Sequence, residues 1–273
     1  MTGAHLRTAT LVGLAALLFC AFLPSPCAAE PDDLWPSIAR NAFHGRPLLD
    51  GSGLIALDMP ARAEDAAVVP VTMRITLPPG DGRTLKTMTL VIDDNPSPVA
   101  ATFTVGPGVT TISARVRVNS YTDVHAVGEL SDGKLYVVKT YVKASGGCSA
   151  PMADNPATAK VSLGQMRLRQ FAKTSAGPAS GLREAQIMIR HPNNSGLQRD
   201  QVSLLYIPLF IVRQLRVWQG DQLLLEMDGG ISISENPSIR FSYLPNGAAS
   251  FRAEAVDTEG HVFKGEWPVG PAT

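Results

Sequence analysis

The chain has 273 residues, with 24 Lys and Arg against 24 Asp and Glu, so its formal net charge is zero. That balance leaves no basic face for a polyanion and speaks against nucleic-acid binding, because phosphate contacts supply most of that affinity. The length is enough for two domains of ordinary size, each with its own core.

Residues 1–29 open with a short polar stretch carrying Arg7, continue with the apolar run Leu11–Leu23, and end in Pro24-Ser25-Pro26-Cys27-Ala28-Ala29. Those are the three parts of a secretory signal peptide. The apolar run is shorter than the roughly 20 residues that a lone membrane-spanning helix needs. Cys20 follows Phe19 and Cys27 follows Pro26, so neither has the small preceding residue of a lipoprotein site. The expectation is cleavage near Ala29, a periplasmic product and no membrane insertion after the leader is removed.

Asp32 and Asp33 can cap a short N-terminal helix whose apolar positions Trp35, Ile38, Ala39 and Ala42 recur at helical spacing, with Pro36 tolerated in the first turn. The stretch from Gly45 to Gly53 is rich in turn residues. From Val69 the rhythm changes to period two, with Val69, Val71, Met73, Ile75 and Leu77 on one face of a half-buried strand. Further strands are predicted over 85–92, 99–105, 110–118, 124–130 and 135–142. Asp132-Gly133 lies between the last two as a hairpin signal. Short alternating strands without intervening helices predict an antiparallel sandwich over 30–143.

Residues 144–160 are dominated by Gly, Ser, Ala, Pro, Asn, Asp and Thr and read as a flexible linker. Order resumes over 161–171, is broken by Ser175–Gly181, and returns at 184–190 before the polar loop His191-Pro192-Asn193-Asn194-Ser195-Gly196. The richest apolar run of the second half follows at 202–217, where Pro208 argues against one unbroken helix. Strands over 223–227, 238–243, 249–256 and 262–267 complete a second sandwich over 161–273. The fold class expected is therefore all-β: two immunoglobulin-like antiparallel β-sandwich domains joined by a flexible linker, with one short N-terminal helix.

The chemistry points to Cys148. The chain has three cysteines, and Cys20 and Cys27 fall in the leader, so one thiol is left over. An odd cysteine in an exported protein indicates intermolecular pairing or a free reactive thiol. A free cysteine kept for packing sits among apolar neighbours, whereas this one is flanked by Gly146, Gly147, Ser149, Ala150 and Pro151. Such a backbone cannot settle into a helix or a central strand, and the expectation is an exposed, mobile arm with the thiol at its tip. From Val142 the arm extends at most about 20 Å at roughly 3.3–3.6 Å per residue. Lys139 and Lys143 are near enough in sequence to lower the thiol's pKa, and equally fit solvated strand ends.

Other site chemistries lack their residues. A blue-copper centre wants a histidine beside the cysteine, and His44, His125, His191 and His261 are widely separated without paired metal spacing. A glycine-flanked thiol on a linker does not have the rigid positioning of a protease nucleophile. Asn193-Asn194-Ser195 matches a glycosylation sequon by pattern alone. No catalytic, cofactor-binding or metal site is assigned.

Val68-Val69-Pro70-Val71-Thr72, Glu129-Leu130-Ser131-Asp132-Gly133-Lys134-Leu135-Tyr136 and Gly146-Gly147-Cys148 together resemble SoxY, the sulfur-carrying subunit of the periplasmic sulfur-oxidation system. The second half resembles its partner SoxZ through Ile189-Arg190-His191-Pro192, Ser234-Glu235-Asn236-Pro237 and the closing hairpin at Asp257–His261. The whole is similar to fused SoxYZ-like carriers associated with quinoprotein dehydrogenases. This resemblance implies that Cys148 carries a covalently attached intermediate on the flexible arm Gly146, Gly147, Ser149 and Ala150. It implies a non-enzymatic protein whose partners are periplasmic redox or sulfur-metabolism enzymes, a quinoprotein dehydrogenase system among them. In SoxY the arm is a free C-terminus, Gly-Gly-Cys-Gly-Gly; here a whole domain follows Cys148, and the arm is tethered at both ends. Two other readings stay open: an accessory or interaction module for an exported quinoprotein (PQQ) alcohol dehydrogenase, with Cys148 in an interprotein disulfide at most, and a dimer linked through Cys148.

Overall fold

A computed structural model describes residues 33–152, 161–171 and 181–270. The leader with Cys20 and Cys27, Asp32 and the later part of the linker lie outside the described residues.

One helix, α1 (Trp35–Ala42), precedes eight strands of the first half: β1 (Leu48–Asp50), β2 (Ile55–Asp58), β3 (Val69–Ile75), β4 (Leu85–Ile92), β5 (Val99–Val105), β6 (Thr111–Val116), β7 (Thr122–Leu130) and β8 (Leu135–Val142). The second half adds β9 (Met166–Phe171), β10 (Arg183–Ile189), β11 (Val212–Gln219), β12 (Gln222–Gly229), β13 (Ser238–Tyr243), β14 (Ser250–Asp257) and β15 (Val262–Pro268). The helix follows from its apolar spacing: Trp35, Ile38, Ala39 and Ala42 pack against Phe43, Val91, Val127 and Leu135. Trp35 also stacks on the His125 ring, with centroids 3.6 Å apart. The N-cap is not one of the expected aspartates. Leu34 occupies the N-cap without a side-chain bond, and the Ser37 hydroxyl donates to the Leu34 carbonyl instead.

The fold is all-β, as the alternation predicts, and the two halves meet in a way that periodicity does not reveal. Strands of both halves enter the same two sheets, in the orders β1-β8-β7-β4-β5-β12-β11-β14-β15 and β2-β3-β6-β13-β10-β9. The halves join by ladder bonds at two seams. Across one, Phe103 of β5 faces Met227 of β12; across the other, Ile112 of β6 faces Phe241 of β13. Apart from the parallel pair β1–β8 and an isolated parallel bridge at Arg62–Lys143, the pairing among the described residues is antiparallel. The seams bury one continuous core that includes Val71, Met73, Phe103 and Ile112 from the first half and Ile187, Leu225, Phe241 and Phe251 from the second.

Two further expectations are corrected. The turn-rich stretch at 45–53 contains β1, and β2 follows it directly. The apolar run at 202–217 splits, because only Val212 onward enters a strand. Val202, Leu204, Leu205, Tyr206 and Leu209 face solvent.

Candidate functional site around Cys148

Cys148 lies just beyond the end of β8, and the structure corrects the expectation of a slack arm. The thiol is 0% exposed, while Ser145 and Ser149 on either side are exposed. The arm is a surface turn whose cysteine points inward. Its backbone is tied down on the first half. Gly146 N donates to Asn119 O at 2.8 Å, Gly147 N to Val118 O at 3.0 Å, and Ser149 N closes the turn on Gly146 O at 3.2 Å.

The glycines have uses other than slackness. Gly146 holds φ +78°, a left-handed conformation that a side chain would strain. Gly147 lies so close to the neighbouring backbone that a Cβ there would stand 2.0 Å from Ala66 O and 2.7 Å from Val118 O. Only glycine lets this turn seat against the strand ends.

The second half holds the arm from the other side. The Ser195 hydroxyl donates to the Cys148 carbonyl, and the Gln198 amide donates to the Ala150 carbonyl at 3.0 Å. Gln198 also accepts from Ser195 N, which locks the two together. Ser195 and Gln198 come from the polar loop after β10, and the apparent sequon is part of that loop's internal scaffold. Asn193, fully buried, donates to Ile233 O at 3.0 Å and accepts from Val212 N at 2.9 Å.

Cys148 belongs to neither apolar cluster of the described residues. The cation that acts on it is Arg117, a residue to which the sequence gives no signal. Arg117 is almost wholly buried, and its guanidinium donates to the Ile231 and Ile233 carbonyls. Its Nε has no hydrogen-bond partner among the described residues. Asn95 braces this layer by donating to Arg117 O and to the Ser232 hydroxyl, both at 2.8 Å, and by accepting from Asn119 N.

Burial pushes the Cys148 thiol up to about 11, with the charge of Arg117 opposing the rise without overcoming it. Arg117 in turn is lowered by burial, against the pull of Cys148 and Glu235. A thiol held this way is protonated near neutrality and a poor nucleophile, since the thiolate is the reactive form. The lysines suggested by sequence are not its activators in this arrangement. Lys139 binds Asp123 at 2.7 Å, and Arg117 is the cation named by the electrostatics of the thiol.

His191 roots the same loop. Its Nδ1 accepts from Asn193 N at 3.0 Å, and its Nε2 lies 3.6 Å from Asp257 Oδ2, which also binds His261 Nδ1 at 2.8 Å. Burial pushes the His191 imidazole down to about 4, against the favourable pull of Asp257. Both histidines thus brace loops, and neither is brought to the thiol by a hydrogen bond.

Residues 39–148 match the family of the sulfur oxidation protein SoxY, and residues 172–268 match the family of the sulphur oxidation protein SoxZ. The first match ends on Cys148. Among solved structures, the sulfur carrier protein SoxY from Chlorobium limicola f thiosulfatophilum is 26% identical, covers 41% of this chain and 97% of its own, and superposes with a TM-score of 0.35. A superoxide reductase (neelaredoxin) from Ignicoccus hospitalis is 10% identical, with 33% and 79% covered and a TM-score of 0.29. No curated protein matches the chain. With the SoxY match ending on the buried thiol and the SoxZ match containing the loop that grips it, the chain belongs to the SoxYZ-like fusions, a SoxY domain followed on one polypeptide by a SoxZ domain.

Proposed function

We propose that the protein is a carrier that holds a sulfur-linked intermediate on Cys148 and presents it to partner enzymes, without catalysis of its own. The observation that carries this reading is the end of the SoxY match on Cys148, at a turn with exposed residues on both sides of the thiol. Joining the Cys148 thiolate to an anionic cargo sulfur makes one S–S bond and releases two electrons, which a partner redox protein accepts. The leader-like segment 1–29 supports the periplasm as the compartment.

The buried thiol then describes a resting, closed carrier. Opening it breaks the arm's bonds to Asn119, Val118, Ser195 and Gln198, each of which contributes about 1 kcal/mol net. That sum, about 4 kcal/mol, lies within the range of local opening. Intact-mass measurement of the mature protein from its native host, with and without reductant, tests the proposal. A reducible adduct on Cys148 is expected, and its absence under every growth condition that supplies reduced sulfur would sink it.

The closed thiol is also the observation that favours a second reading, an interaction module serving an exported quinoprotein dehydrogenase or another redox enzyme. Cys148→Ser separates the two. A carrier loses all activity in the host; an interaction module keeps it.

A further inference from the structure

The segment between β10 and β11 is a built finger rather than a slack loop. Its two legs are laddered: Phe210 N donates to Asn194 O at 3.0 Å, Ile207 N to Gln198 O at 2.8 Å, and Asp200 N to Leu205 O at 2.9 Å. The Asp200 carboxylate closes the tip by accepting from Val202 N, Ser203 N and the Ser203 hydroxyl. Arg199 lies over the Tyr206 ring at 4.6 Å and donates to its hydroxyl. The base of the finger carries Ser195 and Gln198, the two side chains that hold the cysteine arm.

The tip is apolar and exposed. Val202 is 92% and Leu205 70% exposed, with Leu204 and Tyr206 beside them. Leu204 sits at φ +60°, a conformation that a bulky side chain adopts only against strain and that marks functional positions. A rigid projection that spends backbone strain to display leucine is shaped for contact.

We infer that this finger is both the docking surface for the protein that exchanges cargo with Cys148 and the latch that the docking releases. The inference rests on the carrier reading above. The occupant is a protein with an apolar recess: the finger's base grips Cys148 itself, so whatever covers the tip is placed at the thiol. An anionic membrane is disfavoured, because the finger over residues 194–210 has one cation, Arg199, stacked on and bonded to Tyr206 and next to Asp200, whereas surface-seeking segments are rich in Lys and Arg. Seating the tip in a recess moves a stiff ladder, and a small displacement at its base separates Ser195 from the Cys148 carbonyl and Gln198 from the Ala150 carbonyl.

Two sets of variants in the full mature chain test this. In Ser195→Ala with Gln198→Ala, the reaction of Cys148 with Ellman's reagent is expected to accelerate at least tenfold, while Gln201→Ala reacts at the wild-type rate. A wild-type rate in the double variant overturns the latch. Val202→Ser with Leu205→Ser is expected to keep the wild-type Ellman rate and urea midpoint. Purified from the native host on a reduced inorganic sulfur source, it should carry at least fivefold less reducible adduct on Cys148. Wild-type loading of this tip variant overturns the docking surface, and so does tip-dependent cosedimentation of the protein with phosphatidylglycerol vesicles. A wild-type protein that never carries an adduct removes the carrier reading, and this inference with it.

Discussion

Gly147 is where the site depends most directly on a single atom. Adding one methyl there drives a Cβ into the Ala66 and Val118 carbonyls, so Gly147→Ala should destabilise by about 1–3 kcal/mol. Gly146→Ala strains only a left-handed backbone and should lose about 1–2 kcal/mol. Gly147→Ala, which meets backbone atoms where Gly146→Ala meets open space, should be the more damaging of the two, and urea unfolding of both variants is the measurement. The thiol itself leaves a signature in alkali. Its folded pKa of about 11 lies above its ordinary value of 9.0, so the unfolded chain loses this proton first. Stability should therefore hold up to about pH 9 and fall as the pH rises toward 11, by about 3 kcal/mol over that window; Cys148→Ser should lose this component of the slope. A lone thiol among glycines and serines singles out Cys148 in the sequence as the candidate chemical centre. Its burial was not legible there, because the same small residues serve a slack thread and a turn pressed against another strand. The decision rests on Ala66, Val118 and Ser195, all distant in sequence. Arg117 was hidden for the same reason: on β-strand periodicity an arginine beside Val116 and Val118 reads as an outward position.

At the scale of elements, the finger is rooted by His191, which is held neutral inside the molecule. Its folded pKa of about 4 lies below its ordinary 6.5, so the unfolded chain takes up this proton first as the pH falls. Stability should decline from about pH 6.5 to pH 4, by about 3 kcal/mol for this residue. His191→Gln, which keeps an acceptor for Asn193 N and does not titrate, should flatten that decline; urea midpoints between pH 4.5 and 7 are the measurement. Turn residues that punctuate the apolar segments made β4, β5, β8 and β13 readable to their ends. β1 and β2, of three and four residues, are too short to show a period. The apolar run at 202–217 misled for a different reason: hydrophobicity normally signals burial, and here Val202, Leu204, Leu205, Tyr206 and Leu209 sit on the exposed finger.

On the scale of the whole molecule, both sheets cross from one half to the other, a pairing between distant strands that no local pattern encodes. Each half taken alone would leave β5 and β6, or β12 and β13, as long unpaired edges, a liability for aggregation. An engineered protease site placed between residues 153 and 160 should therefore yield two fragments that still co-elute on size exclusion and melt in one transition. Fragments that separate would show that the ladder bonds at Phe103–Met227 and Ile112–Phe241 do not hold the halves. The shared sheets also set what the fusion achieves. Two separate chains that met along these edges would come apart on dilution. On one polypeptide the encounter is intramolecular, with an effective concentration set by the tether. Every copy therefore carries its own thiol and its own clasp in fixed one-to-one proportion, however scarce the protein becomes.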